Sequence, residues 1–193
     1  IMSSDWSSDV CSSDLALKTV VASVGDKTII PYEDDVVDAP LVADVPEPRP
    51  VSEEVYHEEL DVTEWKLPNG VRVILKPTDF KNDEIRFTAT SPGGLSLVPT
   101  DELIPGRTAT SVITESGVGA FSQIQLQKLL SDKVVRVSPY ISRLTEGFSG
   151  QVSPKDMETL FQLVYLYFTS PRKDSTAFAS FQSRMQAFYE NRS

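Results

Sequence analysis

From residue 62 onward the hydrophobic positions fall into short periodic blocks separated by turn residues. Trp65-Lys66-Leu67 and Val71-Arg72-Val73-Ile74-Leu75 flank Pro68-Asn69-Gly70. Asn-Gly supplies the positive φ angles of a tight turn, so a β-hairpin is predicted there. Residues 84–90 alternate Ile85, Phe87 and Ala89 with Arg86, Thr88 and Thr90, the period of a strand buried on one face. Residues 91–106, with Pro92, Gly93, Gly94, Pro99 and Pro105, read as a loop. A short helix is predicted over 109–115, closed by Gly117 and Gly119. Ser122 with Gln125 three residues on is a capping-box pattern that opens a second helix through Leu130. Residues 134–140 and 145–152 read as paired strands.

Ser153-Pro154-Lys155-Asp156 is the clearest helix start in the chain. A Ser cap, a Pro at the first helical position and an acid at the third act together on the free amides of the first turn. Met157, Leu160, Phe161, Val164, Tyr165 and Phe168 follow at helical spacing, and Leu163, Leu166 and Tyr167 make the opposite face apolar as well. Such a helix is expected to be sandwiched between a sheet and other helices. Pro171 ends it. A last helix runs from about Ser175 with Phe178, Phe181, Met185 and Phe188 on one stripe. The order is β-β-α-α-β-β-α-α, and the fold class is α+β, a mixed sheet with helices packed on it.

The chain before residue 62 has a different texture. Residues 17–24 and 27–31 read as two short strands about a Gly25-Asp26 turn, too small to bury much, and 16–31 is expected to be the tail of a preceding module. Residues 32–61 hold Pro40, Pro46, Pro48 and Pro50 and eleven acidic side chains against Arg49 alone. Proline bars a continuous helix or central strand, and like charges extend the chain, so this segment is expected to be a linker. Residues 1–15 repeat Ser-Ser-Asp three times, and DWSSDVCSSDL at 5–15 resembles a translated sequencing adapter. They have neither the basic start nor the apolar stretch of a signal peptide.

Charge and composition narrow the chemistry. The net charge of -10 is that of residues 33–61, so 62–193 is nearly neutral and has no basic excess for a nucleic-acid backbone. No apolar run reaches the roughly 18 to 20 residues of a membrane-spanning helix. With 40% hydrophobic residues among 193, one domain of ordinary size is expected. Cys11 is the only cysteine, and it lies in the adapter-like stretch; His57 is the only histidine, so no metal site rests on two imidazoles. His57 stands beside Glu58 and Glu59 and is expected to be a solvated linker residue. Ser91-Pro92-Gly93-Gly94 lacks the Lys-Ser/Thr ending of a phosphate loop and reads as a turn. Ser111, Ser116 and Ser122 have no accompanying base, and Tyr165, Tyr167 and Phe168 read as core. Glu115 is the one carboxylate to inspect, and one acid without a partner makes no site. No catalytic, cofactor-binding or metal residue is predicted.

The motif order does carry a resemblance. Trp65-x-Leu67-x-Asn69-Gly70-Val71, Arg86-Phe87 and Ser91-Pro92-Gly93-Gly94 resemble the opening of the repeated module of insulinase/pitrilysin-type zinc metallopeptidases. Residues 76–85, Glu146-Gly147-Phe148-Ser149-Gly150, Ser153-Pro154-Lys155-Asp156 and Thr159-Leu160-Phe161-Gln162-Leu163 resemble bacterial envelope members of that group. Together they cover about 62–193. The resemblance implies two homologous halves joined by a linker, of which the catalytic one bears H-x-x-E-H, with two His and a downstream Glu on zinc and the motif's Glu activating water. Here the corresponding helix reads Arg107-Thr108-Ala109-Thr110-Ser111-Val112-Ile113-Thr114-Glu115-Ser116-Gly117. No catalytic residue carries over, which matches the second, non-catalytic half that closes over substrate. Residues 62–193 are then the front part of an inactive peptidase module truncated at its C-terminus, with 32–61 as the inter-half linker. An incomplete sheet and exposed apolar surface along Phe178, Phe181, Met185 and Phe188 are expected. Zinc is implied in the catalytic half of the parent and not in this fragment. The implied partners are that half, in the same chain or as a separate subunit, and a peptide substrate among unfolded polypeptides or oligopeptides. The implied place is the cell envelope or periplasm. The alternatives are a stand-alone non-catalytic subunit of a two-chain protease and an unrelated α+β binding domain.

Overall fold

The computed structural model describes residues 39–192. The adapter-like stretch, the two short strands before residue 32 and the first residues of the expected linker lie outside them. The described chain forms β1 (Glu53–His57), β2 (Val62–Lys66), β3 (Arg72–Leu75), β4 (Ile85–Pro92), α1 (Leu103–Ser116), α2 (Gln123–Leu129), β5 (Val135–Ile141), β6 (Thr145–Val152), α3 (Met157–Thr169) and α4 (Ser175–Glu190). The α+β class stands. In place of one mixed layer there are two three-stranded sheets, β1-β2-β3 and β4-β6-β5, and every pairing is antiparallel.

The hairpin of β2 and β3 forms as expected, by a different turn. Gly70 donates to the Leu67 carbonyl at 2.9 Å and Leu67 to the Val71 carbonyl at 2.8 Å. Only Gly70 has a positive φ, at 85°, while Asn69 does not. This is a three-residue loop, with Pro68 pre-setting the turn and glycine in the left-handed region forming the bulge. The Asn69 side chain accepts from the Val71 amide instead. The expected linker, 32–61, is also shorter than its composition suggested. Residues 53–57 are β1, an edge strand exposed along its whole length, which suits a charged sequence. Ala39, Leu41 and Val42, the apolar residues among the acids, pack against the core.

Helix α1 begins six residues before its predicted start and takes in Pro105 and Gly106. Proline costs nothing in a first turn, where the amide has no helical acceptor. Gly106 lies against Leu95 and Val98, whose methyls would stand 3.2 and 3.3 Å from a β-carbon there. Helix α2 carries the predicted capping box: Ser122 Oγ accepts from the Gln125 amide, and Gln125 Oε1 accepts from the Ser122 amide.

Strand β6 is the centre of the second sheet. Phe148, Gly150 and Val152 face α3, and the register sets Ala89, Phe87 and Ile85 beside them on β4, and Pro139, Val137 and Val135 on β5. Against this surface α3 lays Leu160, which is 1% exposed, while Leu163 and Leu166 join Val118, Phe121 and Leu126 in the main cluster. The glycine at 150 makes the fit. A β-carbon there would lie 2.8 Å from the Arg136 carbonyl oxygen and 3.2 Å from Leu160 Cδ1.

The start of α3 differs from a simple cap. No side chain accepts from a first-turn amide. Ser153 Oγ donates to Asp156 Oδ2 at 2.7 Å, and the same carboxylate oxygen accepts from the Val134 amide at 2.9 Å. The Ser153 amide in turn donates to the Val134 carbonyl at 2.9 Å. The residues read as a cap therefore tie the entry of β5 to the exit of β6. Both side chains are buried, and the hydrogen bond from Ser153, with that from Val134, holds the Asp156 carboxyl below the usual carboxylate range.

The sandwich expected for α3 is one-sided. Phe161 and Phe168 reach the sheet edge-on, against Phe87 and Phe148, yet stay 53% and 70% exposed, because α4 packs on α1 and not over α3. On α4 itself Phe181 and Met185 are half-buried, while Phe178 and Phe188 stay about half exposed, so only part of the expected stripe is open.

Two predictions follow from this packing. Leu160→Ala should cost about 2–5 kcal/mol and Gly150→Ala about 1–3 kcal/mol, measured by urea unfolding. Because the two side chains compete for one space, the double variant should lose less than the sum, and strict additivity would refute the contact. The second prediction concerns acid. A carboxyl with a depressed folded pKa stabilises fully above its ordinary value, and that contribution fades as pH falls through the folded value. Asp156→Asn should therefore be less stable near neutrality and lose less on acidification from about pH 6 to pH 2, and parallel urea midpoints for the two proteins would contradict it.

Candidate functional site

Four places were marked by the residues themselves. The first is α1, where the resemblance sets the zinc motif. Three of its five hydroxyls are turned to its own backbone: Thr108 Oγ1 donates to the Ile104 carbonyl at 3.0 Å, Thr114 Oγ1 to Thr110 at 2.8 Å and Ser116 Oγ to Val112 at 2.8 Å. Glu115 is ion-paired with Arg184 of α4. The carboxylate singled out by the sequence therefore serves the α1–α4 contact. Ser122 is occupied as the cap of α2.

The second is His57. It lies at the end of β1, with Nε2 3.4 Å from Glu64 Oε2. Glu64 also accepts from Arg72 Nε at 2.7 Å, which holds its carboxyl below the usual range. The histidine has a neighbour that its sequence surroundings did not reveal, on the surface of the small sheet. Among the described residues no three His, Cys, Asp or Glu side chains are grouped to hold a metal.

The third is the Gly93-Gly94 turn. The Gly93 amide donates to the Leu144 carbonyl, that of Leu95 to Ser142 and that of Ser96 to Arg143, at 2.8, 2.9 and 3.0 Å. These amides are spent on the tip of the β5–β6 hairpin, so the segment is a clasp between loops. The fourth is the aromatic cluster of α3. Tyr167 is half-buried and its phenol is pushed up by burial, and its ring lies 5.7 Å from that of Phe148. Tyr165 and Phe168 are exposed and depart from the core role expected of them.

The feature not singled out in the sequence is the other face of β4-β6-β5. Antiparallel register sets Arg86, Gln151 and Arg136 in one row across the three strands, and Thr88, Ser149 and Ser138 in the next. Beyond them Thr90 Oγ1 and Tyr140 Oη meet at 2.8 Å. Arg86, Gln151, Arg136, Thr88 and Ser149 are exposed and line a shallow depression of about 350 Å³. Arg86 Nε is 2.8 Å from Glu84 Oε1, and Glu84 is held ionised first by Lys81 and then by Arg86. Arg136 has no ion-pair partner among the described residues. The sequence held the signal as polar alternate positions on all three strands; that they form one surface depends on β4 pairing with β6. The face offers cations and hydroxyl donors, and no nucleophile with an adjacent base.

No family model matches the chain. It is 28% identical over 140 residues to the probable zinc protease PqqL of Haemophilus influenzae, covering 72% of this chain and 15% of that protein. It is 28% identical over 158 residues to a zinc protease PQQL-like of Arabidopsis thaliana, covering 80% of this chain and 14% of that one. Among solved structures it matches the periplasmic protease PqqL from Escherichia coli with a TM-score of 0.70 at 23% identity, over 91% of this chain and 19% of that one. It also matches a mutant of the ferredoxin protease FusC in complex with Arabidopsis ferredoxin, with a TM-score of 0.65 at 20% identity, over 82% of this chain and 18% of that one. The two structures show a shared fold, and the chain spans only about one-seventh of the curated relatives' length. The resemblance carried by the motif order therefore holds: the chain is similar to zinc proteases of the PqqL type, over one segment of their length.

Proposed function

We propose that this chain contributes to the non-catalytic, substrate-enclosing half of a zinc-dependent peptidase. The observation that carries the reading is the content of α1. Where a catalytic half of the resembled kind needs two imidazoles and a water-activating carboxylate, this helix has threonine and serine bonded to its own carbonyls, and Glu115 bound to Arg184. Hydroxyls stay protonated and uncharged near neutral pH and are poor zinc ligands, so the residues present do not fit the metal, and no hydrolytic step is assigned to them. What remains is a wall: helices on one side of β4-β6-β5 and an open polar face on the other. The parent would hydrolyse peptide bonds in unfolded polypeptides or oligopeptides, with zinc supplied by its other half. Kinship with a periplasmic PqqL supports a periplasmic setting.

The purified chain should take up only substoichiometric zinc by elemental analysis and should leave a quenched-fluorescence casein substrate intact. Added to an H-x-x-E-H-bearing half of a PqqL-type protease, it should bind and raise that half's turnover of the same substrate. One zinc per chain, or chelator-sensitive cleavage by the chain alone, would overturn the reading.

A further inference from the structure

The open face of β4-β6-β5 is built like a receptor for carboxylates. Arg86 and Arg136 flank Gln151 in one row, with β6 between their strands. Neighbouring strands lie about 4.8 Å apart, which sets the two backbones about 10 Å from each other. The row behind them, Thr88, Ser149 and Ser138, brings hydroxyls that can donate to a carboxylate or a peptide carbonyl. Phe87, Phe148, Val135, Val137 and Val152 are on the helix side, and the one large ring on this face, Tyr140, has its hydroxyl against Thr90, so little on this face favours a greasy partner. One guanidinium shares its charge with Glu84, and the other has no counter-ion among the described residues. An exposed arginine gains by meeting a carboxylate in its planar, two-bond geometry.

We propose that this face binds an extended acidic peptide whose two carboxylates are three residues apart and reach Arg86 and Arg136 together. The spacing follows from chain geometry. In a polyproline II conformation side chains three residues apart share one side and are separated by about 9 Å, close to the spacing of the two strands that carry the arginines. The backbone of such a peptide crosses the strands, with its carbonyls over Thr88 and Ser149. The inference rests on the reading above, in that it names the class of substrate segment this wall would hold, but the binding belongs to the chain by itself.

The test is fluorescence anisotropy on the full chain with a labelled proline-rich peptide bearing two glutamates three positions apart. The same peptide with both glutamates replaced by glutamine is the control. Binding should appear only with the glutamates and weaken as salt is raised. Arg86→Gln with Arg136→Gln should weaken it about tenfold or more, while the melting temperature stays unchanged because both side chains are exposed. Arg136→Lys, which keeps the charge but loses the two-bond fork, should fall between. Equal binding of both peptides, or no loss in the double variant, would overturn the proposal. A chain that self-associates until the two arginines are replaced would overturn it too. The face would then belong to the Asp44-Val45-Pro46-Glu47 stretch of a second copy, which has the same spacing. Failure of the peptide to bind, with the catalytic half still stimulated, would remove this inference alone. Peptide binding without stimulation would remove only the enclosing role.

Discussion

The placement of α3 depends on the carboxylate of Asp156. Its oxygen accepts from the Val134 amide and from the Ser153 hydroxyl at one point, where β5 begins, β6 ends and the helix departs. A buried acceptor with two donors is held to one position, because leaving either donor unpaired would cost more than the bond gains. With that point fixed, Leu160 falls over Gly150 and Leu163 and Leu166 reach the cluster around Val118. The same constraint decides which face of the sheet is covered and which stays open.

The open face follows from that choice. Strands with alternating polar and apolar positions present two different surfaces, and once α3 has taken one, the arginines and hydroxyls of the other are left together. Phe161 and Phe168, on the flank of α3, are a separate matter: they show that this helix carries more apolar surface than the described residues cover.

Much of this was legible beforehand, for a local reason. The hairpin, the capping box of α2, the alternation in β4 and the β5–β6 pair are each written within a dozen residues, and all form. The departures arise where the deciding partner is distant in sequence. Pro105 and Gly106 looked like breakers until close packing against Leu95 and Val98 gave the glycine a use. Asp156 looked like part of a cap because its true partner, Val134, stands 22 residues away. Glu115 looked unpaired because Arg184 lies 69 residues on. The open face stayed hidden for the same reason, since Arg86 and Arg136 are neighbours only through β6. The family resemblance needed no such contact, because it rests on the order of short motifs.

The topology also bears on how the chain reaches this state. Strands β5 and β6 are joined by a short turn and can close early, with α3 following directly. Strand β4 cannot join them until the chain has doubled back over α1 and α2, since Ile85 pairs with Val152 and Pro92 with Thr145. Non-local pairing of this kind slows folding, because loop entropy is lost before the contacts repay it. During synthesis β4 emerges long before its partner, so of the three strands of this sheet the last to dock is the first to leave the ribosome, and the row of Arg86 and Arg136 is completed only at the end.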